Sequence, residues 1–228
     1  MRARERIAAV TAAACLGGAC AGTPELVVAP EARPAAEDAS KGRDRHAGIT
    51  VTVDTDAWDG TSLAGQARPV EVLIENDGQR TLRIRYDAFA LVDGNGQRLG
   101  ALPPFSIEGE VVERRGGLRP AFRHRGFYVA PYHADYFPAL TPYAATFHGA
   151  PFVYDHYLGY WDRVDLPTKM MLEVAIPEGV LEPGGVLSGY LYFEAEGGSG
   201  PMDFRFDLVD EATGKHYGEL RIPLVIEP

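Results

Sequence analysis

After Cys20 the chain contains no cysteine. The only other one, Cys15, also lies near the start, so the body has no disulfide partner and no paired-thiolate metal site. Long hydrophobic runs are missing too. The best candidate, residues 7–19, is thirteen residues long, short of the roughly 20 that a spanning helix needs. Positive charge is scarce, with 22 Lys and Arg against 32 Asp and Glu and a net charge of −10. Such a surface has no footing on a phosphate backbone and no polybasic patch for anionic lipid, so no nucleic-acid partner is expected.

Several catalytic and ligand motifs are absent as well. There is no His-Glu-x-x-His. Ser188 is preceded at two positions by Val186, where a nucleophile elbow needs glycine. Gly197, Gly198, Ser199 and Gly200 are followed by no Lys-Ser/Thr, so they read as a flexible turn and not as a phosphate loop. Asp54, Asp56 and Asp59 lack the glycine and closing glutamate of a calcium hand, and a solvated strand end explains them. Asp93, Asn95 and Gln97 begin like a calcium loop, but a hairpin turn accounts for them.

What is present starts with an address. Arg2, Arg4 and Arg6 precede the uncharged stretch 7–19, which is the layout of a secretory signal. Leu16, Gly17, Gly18 and Ala19 lead into Cys20 and resemble a bacterial lipoprotein signal, in which the mature amino-terminal cysteine is acylated. The leucine stands four positions before the cysteine where the usual pattern has three. Cys15 after Ala12, Ala13 and Ala14 is a weaker second site, and simple cleavage after Ala21 also fits a small-x-small pattern. Loss of residues 1–19 leaves a body of net charge −12. Residues 20–47 hold Pro24, Pro30, Pro34, many alanines and mixed charge without period, and are expected to be a disordered tether.

From Ile49 the hydrophobic period becomes two. Residues 49–54 and 70–76 alternate apolar and polar, the strands 81–86 and 89–92 follow, and 187–195, 202–210 and 219–227 give three more. Turns are marked at Asp77 and Gly78, at residues 93–96 and around Thr213 and Gly214. Seven or eight short strands of this kind, about 180 residues in all, predict one antiparallel β-sandwich domain over 48–228. Val72, Ile74, Leu191 and Phe193 are expected to point inward, with Glu71 and Glu75 outward.

Val70, Glu71, Val72, Leu73, Ile74, Glu75, Asn76, Asp77 and Gly78 recur with a later Leu181, Glu182, Pro183, Gly184, Gly185 and a strand through Phe193. That combination resembles the immunoglobulin-like sandwiches of exported bacterial proteins. With Leu166, Pro167, Thr168 and residues 177–181, the chain is similar to uncharacterised lipoproteins of Gram-negative bacteria. The resemblance implies an all-β, antiparallel immunoglobulin-like fold and an envelope location, and it implies no activity. Ala21 and Gly22 after the cysteine, with no aspartate, imply sorting to the outer membrane by similarity to enterobacterial lipoproteins.

An insert at about residues 114–168 is the unusual part. Between Phe122 and Trp161 fall thirteen of the twenty-three aromatic residues and four of the six histidines. Pro131, Pro138, Pro142 and Pro151 restrict it to extended chain and short helical turns. Three readings stand side by side. The rings cap an open end of the sandwich, each burying about 150–250 Å². Or they form a contact surface for an envelope protein, centred on Tyr132, Tyr136 and Phe137. Or His133, Asp135 and His156 hold a metal ion. The chain is therefore expected to be a non-enzymatic, cofactor-free envelope module anchored through Cys20, the alternative being a metal-dependent envelope enzyme built on the insert.

Overall fold

The structure, a computed structural model, describes residues 25–32, 40–60, 63, 65–109, 123–147, 166–195 and 200–227. The amino-terminal segment with Cys15 and Cys20, as well as His156 and Trp161, lies outside the described residues. Eleven strands are present among those described: β1 (Glu25–Val28), β2 (Lys41–His46), β3 (Ile49–Asp54), β4 (Ala67–Asn76), β5 (Leu82–Ile84), β6 (Phe89–Asp93), β7 (Arg98–Leu102), β8 (Arg123–Val129), β9 (Gly179–Glu194), β10 (Gly200–Val209) and β11 (His216–Glu227). Among the described residues one short α-helix, α1 (Lys169–Val174), is capped by Thr168, whose hydroxyl accepts the Met171 N–H at 3.2 Å.

The strands form one sheet in the order β1-β11-β10-β6-β7-β9-β4-β3-β2, with β5 and β8 also on β9. All the pairings between strands are antiparallel. β7 carries the sheet across from β6 to β9, pairing with one on each side. At the opposite margin β2 comes back to β11, where the Asp44 carboxylate accepts the Arg221 N–H at 2.8 Å. The result is all-β and nearly barrel-shaped.

Alternation explains which side chains fill it. Met202, Phe204, Phe206 and Leu208 of β10, with Leu220, Ile222, Leu224 and Ile226 of β11, are buried in the main core. Asp203, Arg205, Asp207, Glu219 and Arg221 take the other face. There Arg205 stands directly opposite Arg221, a like-charge pairing that is unfavourable by itself. Asp203 lies 3.6 Å from Arg205 and 2.7 Å from Arg221, and Glu219 lies 3.7 Å from Arg205, so the carboxylates offset the repulsion.

Val72, Ile74, Leu191 and Phe193 are inside, none more than 1% exposed, while Glu71 and Glu75 are half-buried at the surface. Ile74→Ala is expected to cost about 2–5 kcal/mol, because a cavity adds to the lost transfer energy. Glu75→Ala should stay within about 0.5 kcal/mol. Urea denaturation of the two variants checks the register, and equal losses would contradict it. β9 departs from simple alternation because both of its faces are covered. Tyr190 and Tyr192 turn away from the main core into a second cluster with Leu63, Ile107, Leu166, Met171 and Val174. The Tyr192 hydroxyl donates to the Met171 carbonyl at 3.0 Å, and Trp58 packs edge-on against both tyrosine rings.

The expectation of a disordered tether over 20–47 is corrected at two places. β1 is only four residues long, too short for its period to register, yet Leu26 and Val28 enter the main core. β2 has no apolar side chain. Its inward residue is Gly42, where an added Cβ would sit 2.5 Å from Ile222, so the bare backbone is what lets the strand lie against the core. Backbone pairing to β3 holds it, with ion pairs Lys41–Asp54 at 3.5 Å and Arg43–Glu75 at 3.4 Å. The insert at 114–168 is likewise not all elaboration, because β8 within it pairs along β9.

Candidate functional site

The described part of the aromatic insert is built on one end of β9. β8 and β9 are both interrupted as they run together. Gly126 has φ +63°, and the register shifts between Arg125 and Phe127, opposite the exposed Glu182, Pro183 and Gly184 of β9. Only glycine adopts that φ readily. The irregularity lets Phe127 and Val129 return to the core just before the 3-10 turn Pro131–His133.

Glu178 fixes that turn. It is 2% exposed, and its carboxyl oxygens accept the Tyr86 N–H at 3.0 Å and the Tyr132 hydroxyl at 2.7 Å. Its backbone carbonyl accepts the Ala130 N–H at 3.0 Å. One acidic residue thus ties three separated stretches of chain together. Burial and then the Glu178 charge push the Tyr132 hydroxyl far above its usual pKa, which keeps it a donor. Tyr132→Phe removes this charge-assisted bond on a half-exposed ring and is expected to cost about 1.5 kcal/mol. Chemical denaturation reads the loss, and an unchanged midpoint would remove Glu178 from the role of latch.

Around this latch the rings close over the core. His133 is fully buried, edge-on to Tyr132 at 5.0 Å and to Phe105 at 5.6 Å, with Phe137 at 6.0 Å and Tyr86 at 6.3 Å between centroids. Burial pushes its imidazole pKa down to about 3, so it is neutral at ordinary pH. Phe137 and Leu140 belong to the main core. Tyr136 stacks on Phe105 at 5.9 Å. The chain then returns along β8, with Val129 N–H donating to Thr141 and Tyr143 N–H donating back to Val129.

Of the sequence-derived contact surface, Tyr132 and Tyr136 are half-buried, and Phe137 is core and offers little to a partner. Of the proposed metal set, His133 sits among rings, Asp135 is exposed and His156 lies outside the described residues. Among the described residues no three His, Cys, Asp or Glu side chains come together as a metal site would require. Glu178, Tyr86 and Phe105 were missed because they are remote in sequence from the insert. The available signal was Glu178 itself, a lone charge between Ile176 and Val180. Comparison with protein-family models, with curated proteins and with solved structures finds no match in any of the three.

Proposed function

We propose that the protein is an exported, lipid-anchored module of the bacterial cell envelope, without a catalytic role, whose aromatic segment is a structural cap on an immunoglobulin-like sandwich. The observation that carries the non-catalytic part is how the cap uses its polar groups. Glu178 binds an N–H and a hydroxyl of the chain itself, and His133 is enclosed by aromatic rings in a neutral state. A general acid or base must reach substrate and titrate near the working pH; both groups are buried, and His133 titrates far below that range. In the sandwich reading, β7 is the strand shared between the two layers. Export rests on the arginines at positions 2, 4 and 6 and the apolar stretch after them, and the anchor on the small residues before Cys20. Any contact with an envelope protein would involve the half-buried Tyr132 and Tyr136.

Cys20→Ser is expected to move the protein from the membrane fraction to the soluble exported fraction and to abolish labelling by a fatty-acid analogue. Membrane partition and labelling that survive the substitution would contradict the anchor.

A further inference from the structure

Resting on the lipid anchor proposed above, we infer that the sheet stands upright on the bilayer, with the end where β1 enters facing the lipid and the aromatic cap facing away. The observation is the pairing of β1. A tether of residues 20–47 would let the domain tumble freely, but β1 is locked into the sheet from Glu25, with Leu26 opposite Ile226 and Val28 opposite Leu224. Only residues 21–24 then separate Cys20 from the fold, a reach of at most about 18 Å.

The register defines the two ends. At the entry end Glu25 is beside Glu227, Gly200 beside Ile226 and Asp93 beside Met202, so the 93–97 hairpin projects there. β11 runs from that end back to His216, about 40 Å for a strand of its length. The far end holds the turn at residues 211–215, joined through the Leu82–Asp210 bridge to β5 and through Gly179 to Val129 and the cap. An 18 Å leash cannot invert a body of that height. The remaining freedom is to lie flat, and the excess of negative charge opposes this on an anionic surface. Glu25, Glu227 and Asp93 at the entry end likewise leave the tether, and not headgroup binding, as the cause of the orientation.

The absence of cysteine after Cys20 makes the test clean. Gln97→Cys at the entry end and Ala212→Cys at the far end, both exposed positions, are each labelled with a donor fluorophore in the full acylated chain. The protein is reconstituted in phosphatidylethanolamine–phosphatidylglycerol vesicles carrying a headgroup acceptor. Energy transfer is expected to be several-fold stronger from residue 97 than from residue 212. A flexible 20-residue insertion between Gly22 and Thr23 is expected to erase the difference. Equal or reversed transfer from protein that floats with the vesicles overturns the orientation and leaves the anchor standing. A difference that survives the insertion overturns the short tether as its cause. Failure to float overturns the anchor and this inference with it.

Discussion

Glu211→Ala is expected to destabilise the protein by about 3–5 kcal/mol, although the residue lies in a turn. Its carboxylate is 2.6 Å from the Arg83 Nε, and its backbone carbonyl accepts from Arg83 Nη2 at 3.2 Å. The two side chains are 10% and 4% exposed. Truncating Glu211 leaves a buried guanidinium without its counter-charge, which is the costly way to break such a pair. Replacing both, as Arg83→Met with Glu211→Leu, removes the charge and its partner together. The double variant is expected to lie near the stability of the parent. A double-mutant cycle by urea denaturation checks the contrast, and a single-variant loss below about 1 kcal/mol would contradict the burial of the pair.

The second large effect is acid sensitivity centred on His133. In the folded state its pKa is pushed down to about 3 by burial, against about 6.5 for the unfolded chain. Below pH 6.5 the unfolded chain takes up a proton that the folded one refuses until about pH 3. Stability from this residue is therefore complete above pH 6.5 and is lost as pH falls toward 3. At about 1.36 kcal/mol per pH unit the loss is about 2 kcal/mol between pH 7 and pH 5. Asp210, whose carboxyl the Thr213 hydrogen bonds hold below its usual range, adds its own loss in acid, so the comparison is with His133→Phe, which fills the aromatic cage with a ring that does not titrate. The variant should lack that part of the decline. Identical pH slopes for the two proteins would contradict it.

The alternation in β3, β4, β10 and β11 is legible because one face is buried and the other wet, so Val72 and Ile74 could be oriented from period alone. β2 was illegible because it contributes backbone and charge to the sheet, with Gly42 as its inward residue. β9 was half legible. Leu191 and Phe193 follow the period, but Tyr190 and Tyr192 are buried by a second cluster supplied from far along the chain. The aromatic density of the insert announced a special segment. What organises it is Glu178 reaching Tyr86 and Tyr132, a long-range hydrogen-bond pattern with no local signature.

The claim that the described cap is part of the fold, and not an adaptable surface laid upon it, is tested most directly by native-state hydrogen exchange. The amides of Val129, Ala130, Leu140 and Tyr143 all donate within the cap, and those of Ile74 and Phe204 lie in the sheet core. If cap and sheet are one cooperative unit, both sets exchange through the same global opening and show the same free energy and denaturant dependence. Cap amides that exchange several kcal/mol more easily, through an opening that leaves Ile74 and Phe204 protected, would contradict the structural cap.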